Sequence, residues 1–347
     1  MRDEAEGLIK AFMDPSLLNT ISPLFAQEWR DAPTMILLVA MLGVLTVAYF
    51  ISVMIRRRPD STVNPAVVDA FNVRVRAWWL MFLILTAAFL MGRGVTVALF
   101  FLLSFWALRE FVTLTPTRIG DHRTLFWVFF LIAPAQYALI AYDLYELHSI
   151  FIPVYAYLFI PARIALAGDS KRFLERAAKI QAALLFCVYA LSYAPALLYL
   201  DYQATPGQPE RSPAGVLLFL IVIVHVGDIM HYVWSKLIGR RTIAPQINAN
   251  RTWEGFFGGI LTTTLIGTVL STVITPFNWL EAAFMSLVTA VMGFAGGITM
   301  SAIKRDRGVK DYGTLVVGHA GILDRIDSLC FAAPVFYHLT RLLFANQ

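Results

Sequence analysis

The amino-acid sequence predicts an all-α, polytopic integral membrane protein built as a bundle of nine or ten transmembrane helices. Hydrophobic residues make up 58% of its 347 residues and charged residues only 15%, against about a quarter in soluble domains. The mean hydropathy is +0.66, and the apolar residues occur in runs of about 17 to 23, the length of helix that crosses a hydrocarbon core of roughly 30 Å. Because lipid offers isolated β-strands no hydrogen-bond partners, these runs predict helices.

Ten candidate spans follow from these apolar runs. They lie at residues 34–55, 77–92, 94–108, 125–142, 149–166, 179–200, 213–235, 256–276, 281–301 and 328–345. The third run is short enough to pair with the second as a re-entrant hairpin. Prolines inside the fifth and tenth spans, Pro153, Pro161 and Pro334, predict kinks in those helices.

The basic residues give these spans an orientation. With the ten spans in place, 22 of the 28 Lys and Arg residues fall in loops on one side, as is typical of the cytoplasmic side of a membrane. We therefore expect a multi-pass protein of a bacterial-type inner (cell) membrane, with both termini extracytoplasmic. The net charge of +5 is explained by this topology and by contact with anionic lipid, so the lipid bilayer is an expected partner and nucleic acid is not.

The distribution of ionisable residues divides the chain into three parts. Residues 1–33 form an extracytoplasmic amphipathic segment, and residues 34–212 form scaffold helices whose charges stay in the loops. In the third part, residues 213–347, ionisable groups enter the spans, so we expect the catalytic region there. Cys187 and Cys330 lie in apolar spans and are expected to be small core residues rather than a disulfide or a metal pair.

Asp228 lies inside the seventh apolar run. A carboxylate at membrane depth is costly and usually faces a cavity or a partner, so Asp228 is either a metal ligand near the cytoplasmic mouth or a packing residue bonded to a neighbouring span. His225 and His231, on the same run, are expected to line the bundle interior rather than to bind metal.

The loop before the eighth span carries four polar residues, Asn250, Arg251, Thr252 and Glu254. Thr252 or Asn250 is suited to cap that helix, with Glu254 in its first turn. A helix start beside an arginine is also an anion site, because the free backbone N–H groups and the helix dipole favour phosphate. Capping and phosphate binding are compatible, and both stay open from the sequence.

The densest polar stretch runs from residue 301 to 329. Ser301, Lys304 and Arg305 share one helix face at the end of the ninth span. The same stretch adds the cations Lys310, His319 and Arg325 and the carboxylates Asp311, Asp324 and Asp327. Phosphates and a divalent cation would satisfy both sets of charges. The alternative is a basic inner loop with ordinary ion pairs, in which Asp324 or Asp327 caps the last helix.

These residues closely resemble the signature of the CDP-diacylglycerol synthase (phosphatidate cytidylyltransferase) family. That signature reads Ser-x-x-Lys-Arg, four residues, Lys-Asp, then His-Gly-Gly and Asp-Arg-x-Asp. The matching positions, within 301–327, are Ser301, Lys304, Arg305, Lys310, Asp311, His319, Gly321, Asp324, Arg325 and Asp327. Upstream, Asp228 and Tyr232 match an Ala-Asp-x-x-Ala-Tyr segment, and RTWEGFFGG resembles Lys-Thr-Trp-Glu-Gly-x-x-Gly-Gly. The resemblance covers about residues 213–345.

The resemblance implies transfer of CMP from CTP to phosphatidate, giving CDP-diacylglycerol and pyrophosphate. It implies Mg²⁺, with or without a second cation, on Asp228 and Asp324, with Asp327 and Asp311 as nearby ligands. The implied catalytic cations are Lys304, Arg305, Lys310, His319 and Arg325, and the implied substrate-binding residues are Ser301, Asn250, Arg251, Thr252, Glu254, Lys236 and Tyr232. A homodimer is expected from the resemblance alone.

One departure from the family pattern defines the alternative. Gly297 stands where the family carries an acidic residue ahead of the serine, and fewer carboxylates bind Mg²⁺ more weakly. The alternative function is therefore a catalytically weakened paralogue that binds anionic lipid or nucleotide as an accessory protein. A secondary transporter is less consistent with the sequence, because the charges cluster at one face and no inverted repeat is present.

Overall fold

The structure is a computed structural model, and it describes residues 32–57, 79–114, 117–202, 212–309, 311–312 and 321–344. Most of the predicted amphipathic segment, residues 1–31, lies outside these ranges. So do Lys310 and His319 of the signature. The division of the chain at residue 212 stays a prediction.

The described residues form ten helices, one at each predicted span. They are α1 (Ala32–Arg57), α2 (Trp79–Met91), α3 (Arg93–Leu114), α4 (Ile119–Ala141), α5 (Tyr145–Ala165), α6 (Phe173–Tyr199), α7 (Pro213–Leu237), α8 (Trp253–Ile274), α9 (Trp279–Asp306) and α10 (Leu323–Phe344). Seven of them, α3 to α9, are each long and apolar enough to cross a membrane. The prediction of an all-α, multi-pass membrane protein is confirmed.

The expectation that the third span is short is wrong. Helix α3 has 22 residues, and the shorter of the pair is α2. The apolar run stops at Arg109 and Glu110, but the helix continues to Leu114 and both side chains have partners. The Arg109 guanidinium lies 5.2 Å from the Trp106 ring centroid, and the Glu110 carboxylate accepts backbone hydrogen bonds from the start of α10.

Two of the three interior prolines lie in α5. Pro153 falls within a wider, π-helical stretch at Phe151–Ala156, where the ladder can accommodate a residue without an N–H. Pro161 lies in the regular part of the same helix. Pro334 lies inside α10.

Helix α7 is the centre of the third part of the chain. Its residues from Ala214 to Val224 are all buried, and it packs most extensively against α8. Glycines permit this close packing: a Cβ atom at Gly259 would lie 2.8 Å from His231 Cγ. His231 is buried and its Nδ1 donates to the Gly255 carbonyl at 2.9 Å. The prediction that His231 lines the bundle interior is confirmed.

A short β-hairpin joins α7 to α8, which the sequence did not predict. Strands β1 (Thr242–Ala244) and β2 (Asn248–Thr252) pair antiparallel, with Thr242 opposite Thr252. Helix α8 starts directly after β2, so the hairpin fixes the backbone that carries the polar residues of this loop.

In the scaffold, the start of α4 is joined to α6 by a buried ion pair between Asp121 and Arg176. Cys187 and Cys330 are both buried and free. Their prediction as small core residues is confirmed.

Candidate active site

The polar residues predicted from the sequence meet at one end of the bundle, where α7 and α9 end and α8 and α10 begin. We call this end the mouth. Asp228 comes from the second half of α7, Arg251 from β2, Lys304 from the end of α9, and Asp324 and Asp327 from the first turns of α10. Four separate elements thus deliver charged groups to one region.

Asp228 forms an ion pair with Arg251. Arg251 Nη2 donates to Asp228 Oδ1 at 3.1 Å, and the two side chains are 18% and 34% exposed. The same guanidinium lies 5.3 Å from the ring centroid of Phe294 on α9. The partner of Asp228 is therefore a residue of the hairpin rather than of a neighbouring span, and the carboxylate remains accessible from the mouth.

Asp324 is held more completely than Asp228. Its Oδ1 accepts from Lys304 Nζ at 2.7 Å, and its Oδ2 accepts from the backbone N–H groups of Tyr312 at 2.8 Å and Gly321 at 3.0 Å. The side chain is only 6% exposed. This geometry resembles a cap that orders the loop before α10 more than an open metal ligand.

Asp327 lies one turn further into α10. Its carboxylate accepts from the Ser328 N–H at 2.7 Å, and it interacts electrostatically with Asp228, Lys304 and Arg251. Asp311 is exposed. Within the part of the chain that the structure describes, no three Asp, Glu, His or Cys side chains are grouped closely enough to form a metal cluster.

Thr252 and Glu254 order the start of α8. Thr252 Oγ1 accepts from the Gly255 N–H at 3.1 Å and donates to Ser235 Oγ at 3.1 Å. Glu254 Oε2 accepts from the backbone N–H groups of Arg240 and Arg241 at 3.1 and 3.2 Å. The structure therefore shows Thr252 as the helix cap, and the carboxylate of Glu254 fixes the loop that precedes β1.

The serine and arginine of the signature join α9 to the hairpin. Ser301 Oγ donates to the Gly297 carbonyl at 2.7 Å and accepts from Asn248 Nδ2 at 3.4 Å. Arg305 Nε donates to the Ile247 carbonyl at 3.1 Å. These contacts hold the end of α9 against the turn of the hairpin.

A second group of predicted substrate-binding residues lies at the edge of the mouth. Lys236 Nζ donates to Asn250 Oδ1 at 3.3 Å and lies 5.8 Å from the Tyr232 ring centroid. All three residues are exposed. Arg325 is partly buried in the first turn of α10, where its N–H donates to the Ile322 carbonyl at 2.9 Å.

Two residues at the mouth were missed by the sequence analysis. Glu110 of α3 is buried, and its oxygens accept from the N–H groups of Ile322 at 3.1 Å and Leu323 at 2.8 Å. Glu110 could have been identified by the criterion used for Asp228, because it is also a carboxylate in a membrane-spanning apolar helix. Tyr312 donates to the Met300 carbonyl at 3.1 Å, and burial raises its pKa, so it stays a neutral phenol.

Comparisons with known proteins agree on one family. Residues 72–343 match the cytidylyltransferase family, so the resemblance begins well before residue 213. The chain is similar to the uncharacterized protein YnbB of Escherichia coli, with 37% identity over 78% of this chain and 87% of that protein. It is also similar to proteins named phosphatidate cytidylyltransferase from Haemophilus influenzae and Bacillus subtilis, with 33% and 35% identity. Those two matches cover 35% and 36% of this chain and 44% and 47% of the relatives, less than half of their length.

Proposed function

The chain belongs to the cytidylyltransferase family, and on that basis we propose that it transfers the cytidylyl group of CTP to phosphatidate in phospholipid biosynthesis. The products would be CDP-diacylglycerol and pyrophosphate. The observation that carries this proposal is the meeting of Asp228, Arg251, Lys304 and Asp327 at one end of the bundle. The names of several relatives support the same reaction.

The reaction requires alignment more than acid–base chemistry. A phosphatidate oxygen attacks the α-phosphorus of CTP, and the bond from that phosphorus to the oxygen bridging to the β-phosphate breaks, releasing pyrophosphate. A phosphate monoester with a second pKa near 6 already carries most of its negative charge at pH 7. The protein therefore has to hold two anions together and to neutralise the charge that develops between them.

The cations of the mouth are suited to that task. Lys304 is fixed by Asp324 at 2.7 Å, and Arg305 is fixed by two backbone carbonyls, those of Ile247 and Val309. Positive groups held before substrate arrives stabilise developing charge without reorganisation. We assign phosphate binding to these two residues together with Lys310, His319, Arg325 and Arg251.

We infer that two carboxylates of the mouth would hold one magnesium ion. Mg²⁺ is usually bound by one or two carboxylates together with substrate phosphates, and Asp228 and Asp327 lie within electrostatic range of each other. We assign the ion to these two residues and give Asp324, whose oxygens already accept three hydrogen bonds, an ordering role. A bound Mg²⁺ would neutralise part of the triphosphate charge. We place this site on the cytoplasmic side of an inner membrane. A homodimer stays a prediction of the resemblance alone.

The proposal is tested by forming the product from defined components. Purified protein in mixed micelles of detergent and phosphatidate is supplied with CTP and Mg²⁺, and CDP-diacylglycerol is measured by mass spectrometry. We expect product from the parent protein and a loss of about 100-fold or more in Asp228→Asn, because charge neutralisation at the reacting phosphates is a large catalytic term. Asp306→Asn is the matched control, because Asp306 is an exposed carboxylate paired with the adjacent Arg307. Equal rates in the two variants would contradict the assignment of Asp228.

A second candidate function is the accessory paralogue that binds lipid or nucleotide without turnover. One observation favours it: Gly297 stands at a position where the family signature is acidic. An inactive parent protein with activity in Gly297→Asp would support the paralogue. Inactivity of every form, together with CTP binding, would leave a binding function.

A further inference from the structure

Gly297 of α9 faces the guanidinium of Arg251. A Cβ atom at this position would lie 2.9 Å from Arg251 Nη2 and 3.8 Å from its Cζ. Real Cβ atoms essentially never approach a heavy atom to less than 3.0 Å. A side chain at residue 297 would therefore push the tip of the flexible Arg251 side chain out of its observed position.

The guanidinium is held on its other sides as well. Phe294 lies on the same face of α9, one turn before Gly297, and its ring centroid is 5.3 Å from Arg251 Cζ. Asp228 accepts the hydrogen bond of 3.1 Å, and Asp327 interacts with the same charge. A planar cation thus lies in a slot formed by Gly297 and Phe294 and pairs with the Asp228 carboxylate.

We propose that this slot makes Arg251 a resident cation for the nucleotide, so that the site binds the phosphates of CTP without a divalent metal ion. The inference rests on the proposed function and deepens it. A guanidinium presents parallel N–H donors that match two phosphate oxygens. When phosphate arrives, Arg251 would exchange its hydrogen bond with Asp228 for bonds to phosphate oxygens.

The slot explains how the site functions with Gly297. A carboxylate at residue 297 would add a metal ligand, but its Cβ atom would displace the guanidinium. Glycine instead keeps a tethered positive charge beside Asp228. A guanidinium stays charged at every physiological pH and does not dissociate. The site would therefore depend less on the concentration of divalent ions.

The test measures CTP binding rather than turnover. Calorimetric titration of the purified full-length protein with CTP is carried out in excess EDTA and again with Mg²⁺. Gly297→Ala is the central variant, because the clash falls on the far end of a flexible side chain, which can move while the helix folds. Gly293→Ala is its matched control: Gly293 is also buried on α9, and the nearest atom to an added Cβ is 3.7 Å away.

We expect the parent protein and Gly293→Ala to bind CTP in EDTA with equal affinity. Gly297→Ala and Arg251→Ala should both bind about tenfold more weakly or worse, the size of one charge-assisted hydrogen bond. Arg251→Lys should bind CTP with an affinity between those of the parent protein and Arg251→Ala. Its ammonium group keeps the positive charge but lacks the parallel N–H donors of a guanidinium. Arg251→Ala leaves the helix surface of α9 unchanged, so it gives an answer even if Gly297→Ala fails to fold.

Two results would overturn the inference: no binding of CTP to the parent protein in EDTA, or equal affinities in the parent, Gly297→Ala and Arg251→Ala. Neither result decides the proposed function, which is tested by Mg²⁺-dependent product formation in the parent protein. If that product forms while CTP does not bind in EDTA, the proposed cytidylyltransferase function is supported and the metal-independent binding of CTP by Arg251 is contradicted.

Discussion

The Arg176–Asp121 pair of the scaffold and the Arg251–Asp228 pair of the mouth have different surroundings. In the scaffold, Arg176 and Asp121 have side chains that are 4% and 1% exposed, and Arg176 also donates to the carbonyls of Asp169 and Lys171. At the mouth, Arg251 and Asp228 are partly exposed and share a single hydrogen bond. The two ion pairs therefore differ in burial and in the number of hydrogen bonds that hold the arginine.

The number of bonds decides whether a pair can exchange partners. Arg176 would lose existing hydrogen bonds if it bound a new ligand, because its N–H donors already bond to acceptors in a buried site. Arg251 has donors to spare and lies beside an accessible carboxylate. We conclude that the scaffold pair fixes helices and that the pair at the mouth is available to substrate.

The largest expected effect is on stability, from breaking the scaffold pair. Arg176→Ala leaves Asp121 buried without its cation, and we expect a loss of about 3–5 kcal/mol in the free energy of unfolding. Thermal unfolding in detergent measures it, and Lys171→Ala, an exposed cation nearby, is the control. If the Tm of Arg176→Ala equalled that of Lys171→Ala, the Arg176–Asp121 pair would not be a stabilising contact between helices.

The next effect concerns the contact between Glu110 of α3 and the start of α10 at the mouth. Glu110→Ala removes the acceptor of two N–H groups at the start of α10, and each buried donor left unpaired costs roughly 1–3 kcal/mol. We expect a lower Tm together with lower activity, because Asp324 and Asp327 follow on the same helix. Glu110→Gln keeps one acceptor oxygen, so its Tm and its activity should both lie between those of the parent protein and Glu110→Ala. No difference between Ala and Gln would show that the carboxylate is not a cap.

A smaller effect on stability is expected from Asp228→Asn. The pair with Arg251 is partly exposed, so its loss should change the free energy of unfolding by only about 0–1 kcal/mol. CTP binding in the presence of Mg²⁺ should nevertheless fall, because the metal loses a charged ligand. A large drop in Tm with unchanged binding would make Asp228 a packing residue.

The smallest effect is expected at the edge of the mouth. Lys236→Ala removes an exposed bond to Asn250 and should change stability by no more than about 0.5 kcal/mol. Its effect on CTP binding should be confined to low salt, where exposed charges still act at a distance. A loss of binding that persists at high salt would place Lys236 in direct contact with the nucleotide.

Much of the fold could be predicted from the sequence, because run length and charge determine where a helix can lie in lipid. All ten helices are found at predicted spans. The end of α3 was misplaced because Arg109 and Glu110 interrupt the apolar run, and only the folded chain shows that α10 provides backbone partners for Glu110. The hairpin before α8 lacked a strong local signal.

The candidate site was predicted as a set of residues but not as a set of pairs. Spacing placed Ser301, Lys304 and Arg305 on one helix face. Spacing could not show that Asp324 accepts three hydrogen bonds while Asp228 accepts one, because the donors come from a loop and a strand distant in sequence. The contact between Gly297 and Arg251 likewise depends on how β2 lies against α9.

The most direct test of the proposed function is the release of pyrophosphate from CTP by the purified protein, with and without phosphatidate. We expect Mg²⁺-dependent release only when phosphatidate is present, with one pyrophosphate for each CDP-diacylglycerol formed. Release that does not depend on phosphatidate, or no release from a folded protein that binds CTP, would contradict it.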